Sequence, residues 1–378
     1  MSEAERMSQI FDGEHVLITG GTGSLGQTLI HRLLGGEAGT PEKIIVFSRD
    51  EAKHYAMKTA WKHAYRATDD IYYHNFEELI EFRIGDVRDY DSVCRAVSAC
   101  DIVFHAAAMK QVPMCEYFPG EAVATNTRGA ENLVQAVRSN DRVHTFLAVS
   151  TDKACKPINV MGMTKALQER FVVEGNLHQE HCRMIAVRYG NVLSSRGSVI
   201  PLFKQQIENG GPVTLTLPEM TRFLLSLDRA VDTIFAAMAH ARAGEIYVPQ
   251  VPSARVTDVA ETLIGGKAIE MVFTGIRPAE KIHEVLVSEE EVFRTTQRNG
   301  YYVIQPHLPE LASGDGPRAL SGEYTSARAL VRGAELADLI AQADFKDPAM
   351  IGPAALATAV PTSGAEPAAH RGERSLPA

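Results

Sequence analysis

At 378 residues the chain can carry one large α/β domain with a smaller lobe, or two domains. A hydrophobic share of 45% supports a sizeable core, and a net charge of −9 argues against a general binder of nucleic acid or acidic membranes. The five cysteines have no metal-type spacing, Met1–Asp12 lacks the apolar centre of a signal peptide, and no apolar run can span a bilayer, so a soluble cytoplasmic protein is expected.

His15 to Thr19 reads as a strand, followed at once by Gly20-Gly21-Thr22-Gly23-Ser24-Leu25-Gly26 and a helical stretch from Gln27 to Leu34. Further strands are expected at Lys43–Phe47, Glu81–Ile84, Ile102–His105, His144–Val149 and Met184–Tyr189. Helices are expected at Ser48–Arg66, Asp91–Val97, Glu121–Arg138 and Thr164–Val173, with an excursion over Ala67–Glu81. This alternation predicts a Rossmann-type doubly wound parallel sheet over 12–192. Beyond Tyr189 the glycines and prolines suggest a smaller C-terminal substrate-binding lobe, assigned to 193–222 and 253–345. Residues 223–252 rejoin the sheet through a helix (Arg229–Ala241) and a strand (Glu245–Val248). Val256–Ile264, Lys281–Val287 and Ala327–Ala343 are read as helices, and 346–378 as a disordered Ala/Pro-rich tail.

Two stretches carry chemistry. Gly20, Gly23 and Gly26 stand between a strand and a helix, where a tight turn and free helix N–H groups suit a pyrophosphate. At the next strand end, Ser48 and Arg49 suit a 2′-phosphate, which favours NADP, while Asp50 keeps NAD open as the less favoured choice. Asp86 and Val87 are placed to meet the adenine, and Ala106, Ala107 and Ala108 are small enough for a cofactor to cross the sheet edge. The second stretch, Val149 to Lys165, brings Thr151, Asp152, Lys153 and Lys165 to a strand end and a helix start.

These residues, with STDKACKP (150–157), RYGNV (188–192), SRGSVIP (195–201), MTRF (220–223) and TGIRPAEK (274–281), resemble the extended short-chain dehydrogenase/reductase family. Within it they look like the UDP-N-acetylglucosamine 4,6-dehydratases of polysaccharide biosynthesis. Two departures stand out: Met161 occupies the usual tyrosine position, as in a subset of that branch, and Ala279 replaces a usual glycine.

The resemblance implies oxidation of a UDP-sugar at carbon 4, loss of water across carbons 5 and 6, and return of the hydride to carbon 6. Thr151 would bond the 4-oxygen, Asp152 protonate the leaving hydroxyl, and Lys153, made neutral by burial near Lys165, take the carbon-5 proton. Met161 cannot take the 4-hydroxyl proton, which leaves Asp152 or a water held by Thr151 and Lys165. Asn126, Lys165, Tyr189, Asn191 and Lys110 would contact the cofactor. Lys110, Asn191, Arg196, Val199, Arg222, Arg277 and Glu280 would contact the sugar nucleotide. No metal is implied, and a homo-oligomer is expected. A UDP-hexose 4-epimerase, or a non-catalytic NADP-binding protein for which Met161 is the best argument, are the alternatives.

Overall fold

The computed structural model describes residues 8–65, 78–177, 179–193, 199–312, 314 and 316–344. The tail assigned to 346–378, Arg196 and most of the 67–81 excursion lie outside those residues. Six parallel strands, β1 (His15–Thr19), β2 (Lys43–Ser48), β3 (Ile80–Ile84), β4 (Ile102–His105), β5 (Thr145–Thr151) and β6 (Arg183–Tyr189), lie in the order β3-β2-β1-β4-β5-β6. That is the strand order of a doubly wound dinucleotide fold, with its crevice at the β1/β4 reversal. Helices cover both faces, so the central strands are runs such as Val16-Leu17-Ile18 and Ile44-Ile45-Val46-Phe47, buried on both sides.

After β6 the chain leaves the sheet. The Val199–Glu208 helix and the short strands β7 (Val213–Leu215) and β8 (Thr221–Phe223) begin a second lobe. The Leu227–His240 helix then leads to β9 (Ile246–Pro249), which lies parallel to β6. β10 (Ser253–Arg255) pairs with β8, and β11 (Met271–Phe273) with β7. β12 (Val285–Val287) runs toward the last elements. β13 (Thr295–Arg298) and β14 (Tyr301–Ile304) form a hairpin that extends the main sheet to nine strands, and β15 (Tyr324–Thr325) pairs with β12. Residues 295–304, assigned from sequence to the second lobe, thus belong to the sheet. The hairpin turns at Asn299-Gly300, both at positive φ, as a two-residue turn requires. The lobe has its own core, in which Phe203, Ile207, Leu215, Met220, Val259 and Leu336 pack together.

Several helix expectations are corrected. The stretch 281–287 is not helical: Val285, Leu286 and Val287 are consecutive and all buried, which a one-faced helix cannot achieve but a covered strand can. The last helix begins only at Gly333, and the second at Glu51. Glu121–Arg138 is interrupted by a π turn at Val123–Arg128. The helix after β5 starts earlier than expected, at Val160, because the Asn159 side chain accepts the Gly162 N–H and caps it.

A buried cluster fastens the lobe to the sheet beneath β5. Arg188, 2% exposed on β6, donates from Nε (2.9 Å) and Nη2 (2.6 Å) to Glu169 of the 160–174 helix. It also donates to Glu291 (2.7 and 2.9 Å) and to the Leu286 carbonyl of β12 (2.9 Å). Ser150 on β5 donates to the same Glu169 carboxylate at 2.5 Å. Burial pushes the Glu291 carboxyl upward, but Arg188 outweighs it and holds it down to about 2.

Removing the cation leaves two carboxylates in the interior. Arg188→Met is expected to cost about 3–5 kcal/mol in urea unfolding. Because the Glu291 value is depressed on folding, its contribution is complete above its ordinary value of 4.5 and fades as pH falls toward 2. Acid unfolding followed by circular dichroism should therefore begin at higher pH in Glu291→Gln than in the parent.

Candidate active site

The turn that follows β5 is the centre of the site. Thr151 caps it, its hydroxyl accepting the Lys153 N–H at 3.4 Å and donating to Asp152 Oδ1 at 2.9 Å. Asp152 is fully buried, and its Oδ2 has no hydrogen-bond partner. Lys153 Nζ donates to Asp152 Oδ1 and Asn191 Oδ1, both at 3.0 Å, and stands 3.5 Å from Glu284 Oε1. The Arg222 guanidinium is 3.9 Å from the same Glu284 oxygen. Two glycines let these pieces close up. A Cβ on Gly162 would stand 2.1 Å from the Lys153 carbonyl oxygen, and one on Gly190 would meet Phe223 at 2.6 Å and Asp152 Oδ2 at 3.2 Å.

Electrostatics here overturn one expectation. Burial works against the Lys153 charge, but Asp152 and Glu284 outweigh it, and its pKa is raised despite the opposing Arg222. Burial near Lys165 therefore does not make Lys153 neutral. Lys165, 4% exposed, instead donates to the Val149 carbonyl (2.9 Å) and Gln168 Oε1 (2.8 Å). Burial brings Lys165 down to about 8, against the pull of Glu169. Met161 packs with Cys115 and Ala122 in a small apolar cluster. His105 is buried, its Nδ1 2.8 Å from Thr19 Oγ1, and burial and then Lys165 hold it down to about 3, so it is neutral. Among the described residues no His/Cys/Asp/Glu group is arranged to hold a metal ion.

The glycine loop faces the same sheet edge. Gly20 has φ +71°, and a Cβ there would stand 2.7 Å from the Ala107 nitrogen; a Cβ on Gly26 would stand 2.5 Å from Gly21 Cα. The loop and the Ala106–Ala108 segment are thus pressed together across the β1/β4 reversal. Gly23 begins the 24–34 helix without a side-chain cap, which leaves N–H groups for an anion, and Ser24 and Leu25 form its first turn. This cradle fits a dinucleotide pyrophosphate.

At the end of β2, Thr22 Oγ1 donates to Ser48 Oγ (3.2 Å), which lies 2.6 Å from His54 Nε2. Arg49 is exposed, and Asp50 is paired with Lys53 at 2.9 Å. Asp86 is paired with Arg88 at 2.7 Å, and Val87 is buried against Gly129. The Asn126 side chain is committed to Met109 N (2.7 Å), Met109 O and Thr164 Oγ1 (both 3.0 Å), so it fixes the segment after β4 to the 160–174 helix. Tyr189 is buried at the end of β6, and Lys110 is exposed.

The 274–281 loop is tied to the site through one backbone carbonyl and one lysine side chain. Asn159 Nδ2 donates to the Ala279 carbonyl (3.0 Å), and Lys281 Nζ to the Cys155 carbonyl (2.5 Å). Ala279 has φ +64°, the region that favours glycine, which accounts for the residue type it replaces. Arg277 is exposed on this loop, while Glu280 Oε2 is buried without a partner. Val199 is half-buried at the start of the 199–208 helix. Thr151, Asp152, Lys153, Asn191 and Arg222 are therefore brought into one cluster, with Lys165 behind it. Sequence reasoning missed Glu284, which lay in a stretch read as helix. It also missed Gly162 and Gly190, whose role appears only when two elements meet.

Residues 16–306 match the family described as polysaccharide biosynthesis protein. Over 304 residues the chain is 38% identical to the inverting UDP-N-acetylglucosamine 4,6-dehydratase of Campylobacter jejuni, covering 79% of this chain and 85% of that protein. Over 300 residues it is 42% identical to a UDP-glucose 4-epimerase of Rickettsia felis, covering 78% and 84%. Pen from Bacillus thuringiensis superposes with a TM-score of 0.78 at 32% identity, covering 88% of this chain and all of that one. The dTDP-glucose 4,6-dehydratase DesIV of Streptomyces venezuelae, with NAD bound, shares the fold at a TM-score of 0.61 and 20% identity, covering 71% and 86%.

The close approach at Gly162 yields a sharp expectation. Gly162→Ala should drive the helix start away from the Lys153 carbonyl, at a cost of about 1–3 kcal/mol. Thermal unfolding should register the loss.

Proposed function

We propose, since this chain belongs to the polysaccharide biosynthesis protein family among the extended short-chain dehydrogenase/reductase enzymes that act as sugar-nucleotide dehydratases and epimerases, that it is an NADP-dependent 4,6-dehydratase of UDP-N-acetylglucosamine or a close UDP-hexose. The observation that carries this reading is the Asp152–Lys153 pair. It is a fully buried acid with one unpartnered oxygen, bonded to an amine that a second carboxylate also faces. Moving a carbon-5 proton and expelling a 6-hydroxyl requires such a pair, whereas inversion at carbon 4 does not. The epimerase named in Rickettsia felis makes 4-epimerisation the second reading.

The Gly20–Gly26 loop, with Thr22, Ser24 and Leu25, would hold the pyrophosphate, and Lys165 the nicotinamide ribose. Asp86, Val87, Ala106–Ala108, Tyr189 and Asn191 would line the rest of the cofactor cleft. NADP is favoured because Arg49 is exposed beside Ser48 while Lys53 neutralises Asp50, the carboxylate that would repel a 2′-phosphate. When bound, the nicotinamide supplies a hydride acceptor for carbon 4 and the same hydride for carbon 6.

The chain's own groups account for the protons. Thr151 Oγ1 already donates to Asp152 Oδ1, so a sugar 4-hydroxyl that donates to Thr151 can pass its proton through that bond to Asp152. This does the work for which Met161 has no basic group. Asp152, now neutral, gives the proton to the leaving 6-oxygen. Its neutralisation also removes one of the two charges that sustain the Lys153 ammonium, and Lys153, once it has given up its ammonium proton, serves as the base at carbon 5. Arg277, Arg222 and Arg196 supply positive charge for the diphosphate, and Lys110, Val199 and Glu280 complete the sugar-nucleotide pocket.

We propose a homo-oligomer because Met114, Tyr117, Met163 and Leu167 on neighbouring helices, and Phe118 beside them, are exposed. A cytoplasmic setting agrees with five free cysteines. No helix among the described residues is long and apolar enough to cross a membrane.

Incubation with UDP-N-acetylglucosamine in heavy water should give a product lighter by one water, with deuterium at carbon 5. A product of unchanged mass would transfer the assignment to the epimerase. Lys153→Ala should retain NADP binding and lose water elimination by about 100-fold or more. Arg49→Ala should weaken NADP about tenfold while leaving NAD unaffected, as titration of each dinucleotide would show.

A further inference from the structure

Glu284 stands beside the catalytic pair without a role in the chemistry above. It is 3% exposed, on the approach to β12, with its backbone bonded to Ser326 on both sides. Its Oε1 faces Lys153 Nζ at 3.5 Å and the Arg222 guanidinium at 3.9 Å, while its Oε2 is buried and unpartnered. A buried ion pair that served only to join the lobe to the sheet would have both carboxylate oxygens satisfied. With Oε1 facing the ammonium and Oε2 without a partner, this carboxylate has room to accept a proton.

We propose that Glu284 is a positioning residue that acts through Lys153: it takes the ammonium proton when Asp152 is neutralised, which frees the amine for carbon 5, and returns it when the cycle ends. The inference rests on the dehydratase reading.

The proton count closes. The 4-hydroxyl proton passes through Thr151 to Asp152. Lys153 then has a single carboxylate partner, and in a site closed from water a neutral amine beside a neutral acid replaces the ion pair. The Lys153 N–H bond breaks and an O–H bond forms on Glu284. The carbon-5 proton moves to the amine, and Asp152 gives its proton to the departing hydroxide, which leaves as water. Lys153 returns a proton to carbon 5 as the hydride reaches carbon 6, and Glu284 then reprotonates Lys153. No external base is consumed.

The groups that face Lys153 are Asp152 on its own turn, Asn191 after β6, Glu284 before β12, and Arg222 on β8 through Glu284. Asp152 and Glu284 sustain its charge, burial and Arg222 oppose it, and Asn191 is neutral. Replacing Glu284 by glutamine keeps the shape but removes a charge and the proton acceptor. The Lys153 pKa should therefore fall, while its proton has nowhere inside the site to go.

The decisive experiment compares the wild type, Glu284→Gln and Glu284→Asp. In Glu284→Gln, turnover near neutral pH should drop about 10- to 100-fold and then climb as pH rises, because solvent must remove the Lys153 proton. Glu284→Asp should restore part of the neutral-pH rate, and NADP affinity should stay near the parent value. Without any substrate, NMR titration of the Lys153 ammonium should show its pKa lower in Glu284→Gln than in the parent. A Glu284→Gln enzyme with wild-type rate and pH profile overturns the proposal. So does an equal loss at every pH that the aspartate variant does not relieve, or an unmoved Lys153 titration. A wild type that eliminates no water defeats the dehydratase reading instead, and the Lys153 titration still reports separately whether Glu284 and Lys153 are coupled.

Discussion

The site depends on a buried cation. Arg188 reaches from β6 to Glu169 on the 160–174 helix, to Leu286 of β12 and to Glu291 beyond it, and Ser150 joins the Glu169 carboxylate from β5. Those bonds tie together the strand that delivers Thr151–Lys153, the helix that delivers Lys165, and the segment that delivers Glu284. A charge this deep is strongly disfavoured unless every donor finds an acceptor in the right place. The pieces it joins are thereby held in one relative position. Precision of that kind is what a proton relay over bonds of about 3 Å requires.

Above that clamp, the chemistry is set by how carboxylates and amines are shared. Lys165 lies against a carbonyl and an amide, so burial dominates and its pKa falls to about 8. Lys153 is twelve residues earlier and lies against two carboxylates, so its pKa rises. Two lysines of one loop-and-helix unit are thus driven in opposite directions by their immediate neighbours. In the proposed cycle a resting ammonium at Lys153 would also impose an order, because the amine would become available only after a proton has reached Asp152. Under that proposal, abstraction at carbon 5 would wait until carbon 4 has been oxidised.

The Met161 substitution is consistent with this arrangement. Its side chain fills an apolar cluster with Cys115 and Ala122, while the Thr151–Asp152 hydrogen bond would, in the proposed reaction, provide the proton path that a phenol otherwise supplies. The other departure, Ala279, is accommodated at φ +64° in a loop whose carbonyl is held by Asn159, so local strain is offset by a fixed contact to the helix cap.

The sequence by itself determined the parallel sheet, the glycine loop and the polar turn after β5. These are local signals: continuous apolar runs buried on two faces, glycines required by tight backbone approach, and polar residues at a strand end. It also held a signal that went unread, the Asn299-Gly300 turn that places β13 and β14 on the sheet. Tertiary structure alone decided the protonation of Lys153 and brought in Glu284, which comes from 131 residues further along the chain and from a stretch that reads as helix. The physical reason is that a pKa is a sum over neighbours in space, and charges separated by over a hundred residues become neighbours only when the lobe closes onto the sheet.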